Sequence, residues 1–421
     1  MSTNTLLAPI IGDTIARAVA PLGAAALTEE SLQKHIAPLF ARVRQRSEIY
    51  LSNHSLGRPL DLLAHDVHEA LDAWYTDMDG AWDVWMKEMT AFRTNIACLI
   101  GLSRADLVVP KISAGQGLRA VLNALRIDKP RVIATRGEFD SIDFILKTYR
   151  VRNRASVRWV EQRTAPNRPP QIDADAILDA IRADAPDLVV ISHIYYATGQ
   201  RLDRVEDIVA AAHAKGSLVV LDAFHSAGVI PVEFERLGAD FAIGGSYKYT
   251  RGGPGAAWLA IHPRHLESTT IRTLDTGWFA KRDTFGFERP DQPLLADGGD
   301  AWLEATPAPL PLFQARSGLQ LVLALGVERL RRYSLEQLDA LGSVLSAQGV
   351  TSFRGGATPE QSGAFLLIPR ADAHPACDAL KQAGVNVDAR LGHLRLCPDV
   401  VTTREDMERA ATIIARVLAS R

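Results

Sequence analysis

The stretch that decides the fold is SLVVLDAFHSAG at residues 217–228, followed by GADFAIGGSYKY at residues 238–249 and GGPG at residues 252–255. The first two segments each contain an apolar run typical of a buried strand and then turn polar. One run ends at Asp222, and Lys248 follows the other. If both runs are parallel strands of one sheet, their carboxyl ends meet at the same edge. A carboxylate and an amine would then converge on one crevice.

The surrounding sequence alternates helical periods with short apolar runs rich in Val and Ile, from about residue 60 to residue 263. Strand-like runs lie at residues 131–135, 188–191 and 217–221. Helical patterns lie at residues 118–125, 174–182 and 205–215, and Gly216 follows the last of them in the position that a helix C-cap favours. The alternation predicts an α/β fold with a mostly parallel central sheet, whose ligands bind beyond the carboxyl ends of the strands.

A chain of 421 residues exceeds the size at which one core usually stops growing, so we expect more than one domain. We predict an N-terminal arm at residues 1–60, a large cofactor-binding domain at residues 61–310 and a smaller α/β domain at residues 311–421. The Pro-rich stretch at residues 306–311 precedes a long helical pattern at residues 313–345. Thr402 and Glu405 have capping-box spacing and predict the start of a final helix that reaches residue 418.

Composition excludes several classes of partner. The 47 Lys and Arg residues and 49 Asp and Glu residues give a net charge of −2, without the basic field that binds nucleic acid. Cys98, Cys377 and Cys397 are too few and too far apart for a disulfide framework or a Cys-x-x-Cys metal site, which favours a reducing cytoplasm and no metal. The apolar run at residues 6–11 lacks a basic leader and is far shorter than the ~20 residues of a membrane span, so no membrane partner is expected.

Asp222 and Lys248 together suit pyridoxal phosphate (PLP). A lysine amine can form a Schiff base with the PLP aldehyde, while a buried carboxylate keeps the pyridine nitrogen protonated and makes the ring an electron acceptor. On spacing alone, a structural ion pair at two strand ends explains Asp222 and Lys248 equally well.

Four motifs carry a resemblance that favours the cofactor. They are SNHSLG at residues 52–57, LDAFHSAG at residues 221–228, SYKY at residues 246–249 with GGPG at residues 252–255, and TGWF at residues 276–279. The chain resembles the fold-type I PLP enzymes of the class V aminotransferase superfamily, and within it the kynureninase family, from about residue 49 to the C-terminus. The SYKY and GGPG pair is the most specific of these matches.

The resemblance assigns roles around the cofactor ring. It implies that Lys248 binds PLP covalently, that Asp222 pairs with the ring nitrogen and that His225 lies close to the ring. Tyr247 is implied to contact the phosphate, and it is a candidate proton donor in catalysis.

The resemblance also implies contacts with the two faces of the ring and the strand ends beside it. Phe139, in the segment EFDS at residues 138–141, matches the aromatic residue that stacks on the ring. Ser141 and Ser192 match further cofactor contacts. Ile142 departs from the acidic residue of the family, so one polar contact is not expected here.

The phosphate of PLP is implied to bind at SAGQG, residues 113–117, where a turn opens a helix and backbone N–H groups suit an anion. Ala114 and Gly115 replace residues that are hydroxylated or larger in the family, so backbone N–H groups must provide more of the contacts with the phosphate. Trp278 and Thr306 match positions that reach the phosphate from the neighbouring subunit, which implies a homodimer with shared active sites.

Substrate binding is implied at three positions. Arg395 matches the arginine that grips the α-carboxylate of the substrate, and its planar guanidinium suits a bidentate contact. Ser55 and Trp82 match residues that line the pocket for the aromatic ring of the substrate, although Trp82 could equally be a core residue. The segment at residues 397–403 departs from the usual ending of the kynureninase family.

The reaction implied by this resemblance is hydrolysis of the Cβ–Cγ bond of L-kynurenine, 3-hydroxykynurenine or a related acyl-alanine, a step of tryptophan catabolism. The products would be anthranilate, or its analogue, and L-alanine. A class V aminotransferase or another PLP-dependent lyase remains the alternative. Cysteine desulfuration is disfavoured because the loop at residues 353–364 contains no cysteine. A non-catalytic cofactor-binding protein is disfavoured by the joint presence of Lys248, Asp222, His225 and Arg395.

Overall fold

A computed structural model describes residues 7–165, 168–265 and 271–420. Leu6, the first residue of the short apolar run, lies outside the described residues. The helices are α1 Asp13–Val19, α2 Glu29–His35, α3 Ala41–Arg44, α4 Leu62–Thr76, α5 Ala81–Ile100, α6 Ala114–Leu122, α7 Asp140–Val151, α8 Ala174–Asp184, α9 Val205–His213, α10 Phe234–Leu237, α11 Pro309–Leu325, α12 Val327–Ala347, α13 Ala373–Gln382 and α14 Arg404–Ala419. The strands are β1 Ile49–Tyr50, β2 Val108–Lys111, β3 Arg131–Thr135, β4 Ser156–Val160, β5 Arg163–Ala165, β6 Arg168–Gln171, β7 Leu188–Ser192, β8 Leu218–Asp222, β9 Phe241–Gly245, β10 Ala257–Ile261, β11 Leu366–Pro369, β12 Val385–Asn386, β13 Asp388–Arg390 and β14 His393–Leu396.

A seven-stranded sheet forms the centre of the molecule, in the order β2-β10-β9-β8-β7-β3-β4. Strands β4, β3, β7, β8 and β9 run parallel, and β10 is antiparallel to both β9 and β2. Strands β7 and β9 are buried at every position, as expected of strands covered by helices on both faces. The predicted α/β class with a mostly parallel sheet is therefore confirmed.

Of the three hydrophobic clusters in the described residues, the two largest divide the structure. The larger surrounds the central sheet and includes residues of the N-terminal segment, such as Ile15 and Phe40, together with α11. The smaller joins Leu338 and later residues of α12 to α13, α14 and the three-stranded sheet β11-β14-β13. Because α11 packs on α4 and α5, the second core begins within α12. The boundaries at residues 60/61 and 310/311 stay a prediction.

The prediction of one long helix at residues 313–345 is wrong. The segment forms two helices, α11 and α12, which meet at an angle of 85°. Gly326 separates them with φ +85°, a left-handed value that ends α11 and that residues with side chains rarely adopt. In the described part of the chain no single helix is long and apolar enough to cross a membrane, and only this bent pair meets both criteria jointly.

The last helix is capped one residue later than predicted. Thr403 is the N-cap of α14, and its side chain accepts a hydrogen bond from the backbone N–H of Asp406, whose carboxylate accepts one from the N–H of Thr403. Thr402 is engaged elsewhere, because its Oγ1 accepts hydrogen bonds from the N–H of Asp399 and from Arg58.

Candidate active site

A cavity of about 140 Å³ opens at the carboxyl edge of the central sheet. Ser192 ends β7, Asp222 ends β8 and Gly245 ends β9, and all three line it. The predicted site residues that line this cavity are Ala114, Gly115, Phe139, Ser141, Ser192, Asp222, His225, Tyr247 and Lys248. The edge that the strand pattern indicated is thus where these side chains meet.

Lys248 lies in the turn that follows β9 and is buried. Its Nζ is 2.5 Å from Nε2 of His225 and lies 5.3 Å from the ring centroid of Phe139. Burial lowers the pKa of Lys248 to about 7, against the opposing effect of the Asp222 carboxylate. An amine that is partly neutral at physiological pH can act as a nucleophile or a base.

Asp222 is the buried last residue of β8, and its Oδ1 accepts a hydrogen bond of 2.8 Å from the backbone N–H of Phe224. Burial raises the pKa of Asp222, while the Phe224 N–H and the Lys248 amine favour its charged form. A cationic ligand atom beside Asp222 would compensate for its burial, as a protonated pyridine nitrogen does.

His225 follows Asp222 in the same turn and is buried. Burial holds the pKa of His225 well below its usual range, and Lys248 adds to this effect, so its ring is neutral. Nε2 contacts Lys248, whereas Nδ1 has no hydrogen-bond partner among the described residues. A buried polar atom without a partner indicates a place where a ligand group is needed.

The turn before α6 presents backbone N–H groups to the cavity. Ser113 is the N-cap of α6, and its Oγ accepts a hydrogen bond from the N–H of Gln116 at 3.2 Å. The side chain of Gln116 holds the turn from both sides, because Oε1 accepts from the N–H of Ile112 and Nε2 donates to Glu304, both at 2.9 Å. The first N–H groups of a helix lack intrahelical acceptors, so this end of α6 suits an anion.

Phe139 and Ser141 occupy the start of α7 and line the cavity. The ring of Phe139 meets that of Tyr196 edge to face, with centroids 5.1 Å apart. Ile142, which replaces an acidic residue of the family, is fully buried in the core. Its apolar side chain therefore fits its surroundings.

Ser192 is bonded to a buried carboxyl group that sequence reasoning did not single out. Its Oγ lies 2.6 Å from one oxygen of Glu138, and Oγ1 of Thr135 lies 2.6 Å from the other. Burial raises the pKa of Glu138 to about 8, despite these two hydrogen bonds. Glu138 is therefore mostly protonated at neutral pH.

Arg395 lies on β14 beside the cavity, at Tyr196, which lines it. Its NH1 donates to the carbonyl oxygen of Tyr196, and its NH2 lies 3.2 Å from Oγ of Ser55. Both oxygens of Asp388 accept hydrogen bonds from the same guanidinium group, from Nε at 2.7 Å and from NH2. The structure thus brings Ser55 and Arg395 together, with Asp388 as their common partner.

Five predicted site residues do not line this cavity: Arg395 and Ser55, which lie beside it, and Trp82, Trp278 and Thr306, which lie further away. Trp82 packs in an aromatic cluster, with its ring 6.2 Å from that of Phe279, and Trp278 belongs to the same cluster. Thr306 is exposed just before α11. The aromatic cluster consists of Trp74, Trp82, Trp85, Trp278, Phe279, Phe285 and Phe287.

Sequence reasoning missed Glu138, Tyr196, His54 and Asp388. For Asp388 the usable signal in the sequence is Gly392, which marks a turn; the structure shows that Leu391 and Gly392 alone separate β13 from β14, both with positive φ. A two-residue hairpin turn of this kind fixes the register of its strands. Counting back from the turn places Asp388 opposite Arg395, as observed. No comparable pattern singles out the other three residues.

The site fits PLP. Lys248 can bind the aldehyde of PLP. Asp222, at the end of β8, and the ring of Phe139 line the same cavity as Lys248. The N-terminus of α6 provides the anion site for a phosphate group.

The comparison with protein families gives one match over most of the chain. The model described as aminotransferase class V matches residues 66–414. A kynureninase of Deinococcus radiodurans is 32% identical over 302 residues, covering 69% of this chain and 69% of that protein. A kynureninase of Bacillus anthracis is 26% identical over 394 residues, covering 89% of each.

Solved structures of low sequence identity share the fold. A cysteine desulfurase of Thermococcus onnurineus has a TM-score of 0.77 at 17% identity and covers 92% of this chain and 98% of its own. A variant of the enzyme C-DES, with glycine covalently linked to its PLP cofactor, has a TM-score of 0.79 at 18% identity and covers 90% of this chain and 98% of its own. The chain therefore belongs to the aminotransferase class V family and is a kynureninase-like member of it.

Proposed function

We propose that the protein is a PLP-dependent hydrolase that cleaves the Cβ–Cγ bond of L-kynurenine, 3-hydroxykynurenine or a related acyl-alanine to anthranilate, or its analogue, and L-alanine. The observation that carries the proposal is the convergence of Lys248, Asp222 and His225 on one cavity beside Arg395, in a chain whose relatives are kynureninases. When bound, PLP draws electron density away from the amino-acid carbons next to the amino nitrogen.

Lys248 is the proposed catalytic base. Because burial lowers its pKa to about 7, the freed amine can take the Cα proton at neutral pH and return it later. Asp222 would hold the ring nitrogen in its protonated form. The neutral His225, in contact with Lys248 through Nε2, would orient the amine and offer Nδ1 to a bound group.

Tyr247 is the proposed proton donor to Cβ after water has added to the γ-carbonyl and the acyl group has left as the aromatic acid. Burial raises the pKa of Tyr247 to about 12, with Asp222 adding to the effect, so the phenol keeps its proton at neutral pH. The Tyr247 ring centroid lies 5.5 Å from Nζ of Lys248, which puts both groups at one cavity. Tyr247 can thus deliver a proton to Cβ, the carbon next to the Cα from which Lys248 removes one.

Arg395 is the proposed site of the α-carboxylate. It is buried and lies next to Tyr196 on the cavity wall. A guanidinium group in such a place offers a charge-assisted, directional contact to a carboxylate. Ser55 would border the same pocket from the N-terminal segment.

A homodimer with shared active sites is the proposed assembly. The aromatic cluster is only partly covered, since Trp74, Phe285 and Phe287 are 51%, 53% and 67% exposed. Contiguous exposed apolar surface of this kind usually marks a protein interface. Trp278 belongs to this surface, and the exposed Thr306 would reach the phosphate in the partner subunit.

A cytoplasmic location and a role in tryptophan catabolism belong to the same proposal. All three cysteines are free thiols, which suits a reducing compartment. The pathway follows from the proposed substrate.

The decisive experiment records the absorbance of the purified protein before and after addition of L-kynurenine and identifies the products by mass. We expect a cofactor band that Lys248→Ala removes, and anthranilate with alanine from the wild type. Lys147→Ala, at a half-exposed lysine paired with Asp143, is the control and should behave as the wild type. A keto acid in place of alanine would indicate transamination, and an unchanged substrate would overturn the hydrolase proposal.

A further inference from the structure

Most hydrogen-bond donors of the Arg395 guanidinium group already have acceptors within the protein. Nε and NH2 bind the two oxygens of Asp388, and NH2 also lies 3.2 Å from Oγ of Ser55. Among the described residues NH1 has one acceptor, the carbonyl oxygen of Tyr196. A guanidinium group carries two hydrogens on NH1. Both hydrogens of NH2 are thus engaged, and NH1 keeps one free donor. A ligand carboxylate can approach the edge formed by NH1 and NH2 by binding this free donor and taking the place of Ser55 at NH2.

Asp388 gathers donors from two distant parts of the chain. Besides Arg395, its oxygens contact Oγ of Ser55 and Nε2 of His54, the latter at 3.1 Å. Burial opposes ionisation of Asp388, but the contacts with His54 and Arg395 outweigh it and keep its pKa well below the usual range. Asp388 is therefore a fixed anion on β13 that joins residues 54 and 55 to Arg395 of β14.

The ring of Phe365 completes the support of this cluster. It stacks on His54 with centroids 4.7 Å apart and lies 5.4 Å from the guanidinium carbon of Arg395. Burial lowers the pKa of His54 to about 4, so at neutral pH its ring is an uncharged donor to Asp388. The only full charges in the cluster are then those of Asp388 and Arg395, and they balance.

We propose that Asp388 is a positioning residue of the substrate site: it fixes one edge of Arg395, turns the other edge towards the cavity, and balances the arginine charge until a substrate carboxylate arrives. This inference rests on the proposed role of Arg395 in carboxylate binding. Asp388 occupies the edge formed by Nε and NH2, so a substrate carboxylate is confined to the remaining edge. The site thereby selects for one α-carboxylate held in one orientation.

Charge balance gives a readout that a purely structural role would not affect. Asp388 raises the pKa of Lys248 and Arg395 lowers it. Loss of the Asp388 charge alone should therefore lower the pKa of the Lys248 nitrogen. Among the described residues, the groups that face or act on Lys248 include Asp222, His225, His54, Phe139, Phe224, Tyr247, Arg395, Asp388 and Arg390.

The test uses the PLP-loaded protein and four variants: Asp388→Asn (D388N), Asp388→Glu (D388E), Arg395→Gln (R395Q) and the double variant D388N/R395Q. Binding of L-alanine and of L-alaninamide is followed by the change in cofactor absorbance, and the cofactor band is titrated with pH. Asp372→Asn (D372N) is the matched control, because Asp372 forms a two-pronged pair with Arg370 in the same small domain.

We expect D388N to weaken L-alanine binding about 10-fold or more, the loss of a charge-assisted contact, and to change L-alaninamide binding much less. The pH midpoint of the cofactor band should shift downward in D388N and return towards the wild-type value in D388N/R395Q. D388E should restore part of both properties, and D372N should alter neither. Unchanged binding and an unchanged midpoint in D388N would overturn the inference, as would equal losses in D372N.

The outcome is separable from that of the proposed function. Wild-type protein that prefers L-alanine to L-alaninamide but leaves L-kynurenine intact would contradict the hydrolase proposal and leave the role of Asp388 to be judged by D388N. If D388N does not fold, D388E decides the question. Because D388E keeps the negative charge, its preference for L-alanine over L-alaninamide must exceed that of R395Q. A preference no greater than that of R395Q would overturn the inference.

Discussion

Oγ of Ser192 lies 2.6 Å from Oε2 of Glu138, so the end of β7 is joined to a buried acid in the turn after β3. Burial raises the pKa of Glu138 from 4.5 to about 8. The unfolded chain releases this proton near pH 4.5, whereas the folded chain holds it up to about pH 8. The stabilising effect of protonation is therefore complete below the lower pKa and is lost as the pH rises through the upper one.

We expect Glu138→Gln to abolish this loss of stability at higher pH, because glutamine does not titrate. The free energy of unfolding of the wild type should fall, relative to that of Glu138→Gln, by on the order of a few kcal/mol between pH 5 and pH 8. Denaturant titrations at several pH values measure the difference. Glu138→Ala should be less stable than Glu138→Gln at every pH, because it leaves Ser192 and Thr135 without their partner. Parallel pH curves for the wild type and Glu138→Gln would contradict the prediction.

Asp222→Asn should retain the cofactor and lose most of the activity. An amide keeps the shape of the side chain and can still accept from the N–H of Phe224, but it cannot stabilise a protonated ring nitrogen. We expect kcat to fall about 100-fold or more, the scale of losing one preorganised electrostatic contact. Steady-state kinetics and cofactor absorbance measure the two effects. Activity within a few-fold of the wild type would show that Asp222 does not serve the ring nitrogen.

Gly57→Ala should disturb Lys248 from the opposite side of the site. A Cβ at Gly57 would lie 2.0 Å from the carbonyl oxygen of Lys248, and the N–H of Gly57 already donates to the carbonyl oxygen of Tyr247. The clash should lower the free energy of unfolding by about 1–3 kcal/mol and reduce kcat/KM. Denaturation curves and kinetics measure both.

Gly342→Ala provides the control for that substitution. Gly342 lies in α12, where an added Cβ would meet its nearest neighbour at 3.7 Å. Alanine should therefore raise the free energy of unfolding by up to about 1 kcal/mol without affecting activity. Equal behaviour of the two alanine variants would remove the special role assigned to residue 57.

Shared active sites can be detected by mixing two inactive variants. Lys248→Ala lacks the base, and the double variant W278A/T306A lacks the groups proposed to reach the partner's phosphate site. A hybrid dimer would contain one intact site, so unfolding and refolding an equal mixture should recover about a quarter of the wild-type activity. Each variant refolded alone is the control. Absence of recovery, with dimers present in sedimentation, would place each complete site within one chain.

The sequence predicts the central sheet well because its signal is local. β3 coincides with the predicted run at residues 131–135, β7 begins at the predicted residue and ends one residue later, and β8 is shifted by one residue. Since buried parallel strands are apolar throughout, their ends are visible as the first polar residues. For the same reason Asp222 and Lys248 could be placed at one edge before the structure was known.

Features that depend on competing local contacts were less predictable. Both Thr402 with Glu405 and Thr403 with Asp406 have capping-box spacing. The structure uses the second pair because Thr402 binds Arg58 and Asp399. Helical periodicity likewise continues across Gly326, although its backbone turns there. The pairing of Glu138 with Ser192 depends on contacts between distant segments that no periodicity encodes.

The two-residue turn at Leu391 and Gly392 limits how this protein can evolve. A slip of one residue between β13 and β14 would direct Asp388 to the opposite face of the sheet. Arg395 would then lose its counter-ion although neither side chain had mutated. A homologue with a longer loop at this place keeps the pair only where the added residues stay within the turn and leave the register of the two strands unchanged.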